Sequence, residues 1–392
     1  MKTLIITVTI ILGNCSIIFA QNDIQKKIQR QLILAESGAV IDLPEGTFVF
    51  TSSLSLEDKK NITIRGKGMD KTIFSFKNQS DGAEGLRVSN AQHIVLEGFT
   101  IQDTKGDAIK TMNVDSIEFR HIKTEWTGKP RQQNGGYGLY PVQCQHVMID
   151  GCVATGASDA GIYVGQSKHI VVKNCKAYHN VAGIEIENSL YAEVFDNESW
   201  ENTGGILVFD LPDLVQKKGG YVKVFRNNIH DNNFLNFAPK GNIVASVPDG
   251  TGILILATNH VEIFDNQIIN NKTTGTGIIS YYMTEIPIID KEYYPYPTDI
   301  YIHNNTYARQ ATRTTGHGRM GQMYRFKLKF GTDVPDIQYD GIVDDKATDQ
   351  PNARICVRNN KGASFVNLDA ANNFKNVSRD MNKFDCELKR LD

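Results

Sequence analysis

The sequence predicts an all-β solenoid: one elongated domain made of a short, strand-rich unit stacked on copies of itself. Three observations predict it. Residues 161–210 read GIYVGQSKHIVVKNCKAYHNVA, GIEIENSLYAEVFDNESWENTG and GILVFD. The same pattern of Gly, aliphatic residue, two alternating runs, Asn and small polar residues thus returns about every 22 residues, the mark of a repeat architecture. Each unit is too short to bury a core alone, so a fixed short period means units stacked on their neighbours. Inside each unit apolar and polar residues alternate with period two, which belongs to strands rather than helices.

Composition narrows the function classes. The 392 residues carry 42 basic and 44 acidic side chains, for a formal net charge of -2. That balance has no nucleic-acid footprint. Hydrophobic content of 41% and eleven prolines fit a folded chain.

Taken in order, residues 1–20 read as a signal peptide. Lys2 is the positive region, Leu4–Ile18 is largely apolar, and Ala20 precedes a cleavage point. The protein is therefore expected to be exported, periplasmic or secreted. Simple secretion is favoured over lipid anchoring at Cys15, because Asn14 is large for the position before a lipidated Cys. No later stretch approaches the roughly 18 apolar residues of a transmembrane segment. Residues 21–60 read as an N-terminal cap and first strands. Residues 23–36 place Ile24, Ile28 and Leu32 at helical spacing, and a helix there covers the open end of a strand stack.

Residues 61–310 read as the repeats. Aligning the aliphatic residue that opens each main strand gives Leu86, Ile109, Leu139, Ile162, Ile184, Ile206, Ile253 and Ile278. A second marker, from Asn174 through Asn197, Asn227 and Asn266 to Asn304, reads as an Asn ladder: Asn tolerates a left-handed turn, and its amide bonds the Asn one coil away. Insertions fall at 125–136, 211–220, 234–250 and 283–298, each directly before or after the Gly-aliphatic strand, so loops wall one sheet. Residues 311–392 lose the rhythm and read as last turns and a C-terminal cap, with YRFKLKF strand-like. Cys356 and Cys386 are the best candidate bridge. Cys152 and Cys175 occupy one slot in neighbouring units and read as buried thiols rather than a bridge, leaving Cys144 unpaired. There is no CxxC, CxxCH or HExxH pattern, so neither a haem motif nor a common zinc motif is present.

Over residues 30–310 the unit length, the Asn ladder and the leading helix resemble right-handed parallel β-helix proteins of the pectin-lyase-like architecture. More narrowly, GGILVFDLP, NFAPKG and VPDGTGILIL resemble a family of exported bacterial β-helix repeat proteins. The resemblance implies a neighbouring gene for a c-type-cytochrome-like protein, and hence such a partner. It does not select one activity, because this fold serves lyases, hydrolases, epimerases and non-catalytic binders.

If the strand-opening aliphatic residue points inward, the next residue and the one two beyond it point out. This yields one outward row of Lys110, Tyr140, Tyr163, Glu185, Leu207 and Leu254, and a second of Met112, Val142, Gly165, Glu187, Phe209, Leu256 and Tyr281. Tyr163, Glu185, Tyr140 and Lys110 are the candidate catalytic residues. Glu187, Asp210, Asp159, Arg131, Phe209 and Tyr281 are the candidate substrate-binding residues. Such a strip suits an extended sugar chain, with aromatic faces on sugar rings and polar groups on hydroxyls. For a uronide, Lys110 or Arg131 would pair with the carboxylate and Tyr140 or Tyr163 would move the proton, the chemistry of a lyase or epimerase. Glu185 and Glu187, with Cα atoms roughly 6.6 Å apart, also suit inverting glycoside hydrolysis or, with Asp210, a Ca²⁺ ion. His146 and His169 stack on adjacent units above the Ser116 slot and suit a borderline metal. Two functions are therefore expected: binding of, and action on, acidic polysaccharide along the walled sheet, or a non-catalytic exported scaffold serving a metal or redox partner.

Overall fold

The structure, a computed structural model, describes residues 23–344, 346 and 354–392. The signal-peptide and Cys15 readings lie outside the described residues. Alternation within each unit resolves into three strands per coil, and strands of successive coils pair in parallel. We call the three faces front, side and back. On the front, Ile109, Leu139, Ile162, Ile184, Ile206 and Ile253 are register partners in turn. On the side, Ile117, Val147, Ile170, Ala192, Val222 and Val261 form the equivalent column. Among the described residues the back sheet has ten short strands. These columns converge on one axial core, in which Ile109, Ile162, Ile206 and Ile253 are wholly buried. Each such side chain contributes roughly 1.5–3 kcal/mol by leaving water. The chain is thus a parallel β-helix.

The front register corrects one alignment. Ile253 pairs with Thr276, not Ile278, and Leu256 with Ile279. The segment TGTGII, residues 274–279, repeats the Gly-aliphatic marker two residues late, and the backbone ladder follows strand length rather than the marker.

The Asn ladder is also shifted by one residue at both ends. Asn197, Asn227, Asn266, Asn305 and Asn360 form it, each donating its amide to the next carbonyl oxygen at 2.9–3.0 Å. Asn174 and Asn304 instead hold the left-handed turn residue just before the ladder position, with φ of 54° and 57°. Cys175 takes the first rung, its N–H donating to Asn197 Oδ1 at 2.9 Å. A second ladder, Asn180, Asn202, Asn232 and Asn271, lines the corner leading to the front sheet.

The N-terminal end of the stack is closed by a helix. Residues 23–34 are helical and set Ile28 and Leu32 on the core. The coils continue past 310 through Ile337–Tyr339, Ile355–Arg358 and Phe365–Asn367. Cys356 and Cys386 are disulfide-bonded, while Cys144, Cys152 and Cys175 are buried free thiols. The strand expected at YRFKLKF is a helical turn over Met323–Leu328. Its alternation is overridden because Tyr324 packs into a local cluster with Val366 and Leu368, leaving Phe326 exposed. Among the described residues no helix is long and apolar enough to cross a membrane.

Candidate functional site

The front sheet carries the candidate site because parallel register stacks its outward side chains. Tyr140 is the register partner of Lys110, Glu185 of Tyr163, and Leu207 of Glu185. One coil earlier, Arg87 lies beside Lys110 and heads the row. In the second row Glu187 pairs with Gly165 and with Phe209, but the row ends at Ile279. Tyr281 therefore leaves that row. It sits in the turn after the strand, buried in an apolar cluster that also holds Tyr163 and Leu207, with its ring 5.2 Å from Tyr293.

The insertions do more than wall this sheet: they roof it. Residues 234–250 place Val244 and Val247 in one apolar cluster with Tyr163, Leu207 and Phe209. Asn242 Nδ2 from the same loop donates to Asp159 Oδ2 at 2.7 Å. From loop 283–298 the Tyr293 hydroxyl donates to the Asp210 carbonyl at 2.5 Å. Glu185 is 1% exposed as a result, and Glu187 8%. Glu185 and Glu187 are therefore not the water-facing pair that a bare outward row implies.

Five carboxyl groups collect beneath this roof. Asp107 and Asp159 flank Gly136, where an added Cβ would stand 3.5 Å from Asp107 Oδ1 and 3.9 Å from Asp159 Cβ. The Tyr163 hydroxyl donates to Glu187 Oε1 at 2.7 Å. Gly219 N–H donates to Asp210 Oδ1 at 3.2 Å. Both carboxyl oxygens of Glu185 are buried without a hydrogen-bond partner. Burial raises every one of these proton affinities, since a charge loses hydration it does not recover. It pushes Glu187 and Asp210 up to about 7, and Asp159 and Asp107 up to about 6. Glu185 is also held well above the ordinary carboxyl value, by burial first and then by the charges of Asp159 and Glu187.

The tyrosines shift the same way. Burial, then the neighbouring carboxylates, push Tyr140 up to about 12 and hold Tyr163 well above the ordinary phenol value. A phenolate base requires a lowered pKa, whereas both phenols are raised; the Tyr163 hydroxyl is a donor to Glu187, and the groups whose proton affinity burial brings near neutrality are the carboxyls. Tyr137 joins them, its ring 4.4 Å from Tyr140 and 4.8 Å from Tyr163. Alternation counted from Leu139 turns Tyr137 inward. Instead Gly138 faces the core, where an added Cβ would meet Thr124 Oγ1, and this extra inward residue returns Tyr137 to the trough.

The basic end is more open. Lys110 Nζ lies 4.8 Å from the Tyr140 ring centroid and 4.0 Å from Asp107 Oδ2. Arg87 Nε is buried and unpartnered. Arg131 is on the exposed loop and bonds Asn134 within it, so Arg87, which the repeat alignment passed over, takes its place as a cation of the trough.

Among the described residues no three His, Cys, Asp or Glu side chains converge as metal ligands. The Ca²⁺ reading of Glu185, Glu187 and Asp210 finds oxygens already engaged by Tyr163 and Gly219. His146 and His169 do stack, with centroids 5.2 Å apart, and the ladder continues through Tyr191, Tyr221 and His260. His146 Nδ1 lies 2.8 Å from Asp115 Oδ1, so the imidazoles pack face to face rather than converging on an ion.

A family model described as "Right handed beta helix region" matches residues 131–306. The pre-neck appendage protein of Bacillus phage B103 is 22% identical over 209 residues, 44% of this chain. The chain covers 24% of that relative's length. The AlgE4 A-module of the Azotobacter vinelandii mannuronan C-5 epimerase superposes with a TM-score of 0.52 at 17% identity, covering 83% of this chain and 86% of the module. A DFA-IIIase of Arthrobacter chlorophenolicus A6, in complex with DFA-III, gives 0.52 at 12% identity, covering 89% and 81%. What is shared at these identities is the fold: this is a right-handed parallel β-helix protein.

Proposed function

We propose that the protein acts on a polysaccharide that reaches the front sheet from its more open Lys110 end, with the roofed carboxyl cluster as its acid–base centre. The observation that carries this reading is Glu185, a buried carboxyl whose two oxygens lack partners, two residues from Glu187 on the same strand. Buried polar groups are normally hydrogen-bonded, and an orphaned one costs roughly 1–3 kcal/mol. Such a group is retained where a ligand or proton transfer uses it. Two neighbouring carboxyls whose proton affinities burial raises toward and above neutrality can supply an acid and a base, the pairing that glycosidic cleavage uses. The likeness in fold to a mannuronan C-5 epimerase module supports the substrate class.

Uronide lyase or epimerase chemistry fits less well at this centre. The substrate carboxylate would lie among five acidic groups, and the tyrosines are too weakly acidic to act as phenolate bases. An acidic residue of the polymer fits better at the other end of the row, where Arg87 Nε has no partner and Lys110 is accessible. Extracytoplasmic residence is part of the proposal, supported by residues 1–20 and by the Cys356–Cys386 disulfide. The c-type-cytochrome-like partner rests on the family resemblance alone.

The test is incubation of purified protein with neutral and acidic polysaccharides, alginate and pectate included, reading new reducing ends and unsaturated products separately. Reducing ends without unsaturation, lost at least ~100-fold in Glu187→Gln, is the expected result. Unsaturated product would move the assignment back to a lyase, and inertness toward the whole panel would leave the non-catalytic scaffold.

A further inference from the structure

The side sheet carries a second feature, apart from the carboxyl trough. Its outward row runs Val171, Glu193, Lys223, Glu262 and Tyr301 in register. An acceptor, a donor and an acceptor thus follow one another at the strand spacing, about 4.8 Å. The stacked rings of Tyr191 and Tyr221 stand beside this row and are exposed. A cavity of about 610 Å³ is lined by the row, by these rings and by residues 388–392.

Segment 388–392 displays the chemistry this row recognises. Glu262, only 2% exposed, accepts from Arg390 Nε and from the Leu391 backbone N–H, both at 2.9 Å. His303 Nε2 lies 2.9 Å from the same carboxylate. Burial alone would raise the Glu262 proton affinity, but these hydrogen bonds hold it below the ordinary carboxyl value. On the next coil Lys223 Nζ donates to the Asp392 backbone carbonyl at 3.1 Å. The Arg390 guanidinium also lies over the Phe264 ring, 4.5 Å from its centroid. Two neighbouring side chains of the row therefore hold one backbone N–H and one backbone C=O, groups that any extended peptide offers. The arginine adds a charge-assisted contact to a buried carboxylate, which is selective. These bonds reach Lys223, whereas the cavity continues two coils further, to Val171. From this arrangement we infer that the side groove is a peptide-docking surface. It takes an extended segment of a partner protein that carries an arginine followed by an aliphatic residue, and residues 388–392 occupy part of it in cis and compete.

Fluorescence anisotropy of a labelled peptide of residues 387–392, titrated with the full chain and with its Arg390→Ala variant, tests it. Weakening the cis segment frees the groove, so the peptide is expected to bind the variant at least about tenfold more tightly than the parent, the worth of one hydrogen bond to a charged group. A second peptide carrying Arg390→Ala is expected to bind the same variant at least about tenfold more weakly than the first. That change lies on the ligand and leaves the fold of the protein untouched. Equal affinity for the two peptides overturns the inference, as does equal affinity for the two proteins or the absence of saturable binding. Neutral oligosaccharide is the remaining arm: faster hydrogen exchange at the Leu391 amide on adding it, with no response to either peptide, would make the groove a sugar site and overturn the peptide assignment.

Discussion

Glu185 concentrates the chemistry and the cost of this molecule in one side chain. Its neutral form is what the roofed sheet stabilises, so its folded-state pKa lies above the unfolded value of 4.5. The sign follows: below pH 4.5 both states hold the proton and the group is neutral to stability. As pH rises the unfolded chain releases it first, and the folded state loses ground until the folded pKa is passed. Glu187 adds the same slope between 4.5 and about 7, and Asp159 between 3.8 and about 6. The melting temperature is therefore expected to fall from pH 5 to pH 8. Glu185→Gln, which removes the charge and keeps the shape, is expected to melt higher than the parent at pH 8 and alongside it at pH 4. A difference independent of pH would mean that Glu185 is not held neutral by burial.

At the level of the coil, the Asn ladder shows how repeats convert one residue type into cooperative hydrogen bonding. Asn227 accepts from Asn197 through Oδ1, and donates to Asn266 and to the Val194 carbonyl through Nδ2. Asn227→Ala orphans several buried groups and is expected to cost about 3 kcal/mol in a denaturant melt. Asn174→Gly should stay within about 0.5 kcal/mol, since Asn174 is an exposed left-handed turn residue. Equal losses would refute the reassignment of the ladder. The two positions also show why the fold was legible and its fine register was not. The period, the alternation and the recurrent Asn are local signals and suffice for a stacked strand architecture. But Asn serves both the turn position and the ladder position beside it, so sequence cannot tell Asn174 from Asn197. Likewise Gly277-Ile278 imitates the marker that Thr276 replaces. The outward rows Lys110–Glu185 and Gly165–Glu187 followed from strand geometry alone. The roof did not, because nothing periodic dictates that Asn242 should reach Asp159, 83 residues away. That contact and its neighbours turn a solvated strip into a buried acid cluster.

On the scale of the whole molecule the problem is ends. A parallel solenoid exposes unpaired strand edges and core at each terminus, which template association with other chains. The N-terminal end is closed by a helix that imitates a strand. Gln25 Nε2 donates to Ser52 O at 2.6 Å, and Thr51 N–H donates back to Gln25 Oε1 at 3.1 Å. Gln29 repeats the exchange one turn later, donating to Ser55 O at 3.1 Å and accepting from Ser55 N–H at 2.9 Å. Two glutamines thus stand in for the missing ladder, while Ile28 and Leu32 seal the core behind them. Four bonds at roughly 1 kcal/mol each and two buried aliphatic side chains at roughly 1.5–3 kcal/mol each make this cap worth several kcal/mol. In a stack with nearest-neighbour coupling, its loss should be felt locally. Deleting residues 23–34 is therefore expected to remove hydrogen-exchange protection from the strands between Val40 and Ser75, while protection persists in the coils around Ile184 and Ile206. The freed edge should also pair, so the deleted protein is expected to elute larger as its concentration rises. Gln25→Ala with Gln29→Ala isolates the edge from the core: it keeps Ile28 and Leu32 and should reproduce the association with less fraying. Uniform loss of protection along the chain would show instead that the coils unfold as one unit and that the helix is not a local cap.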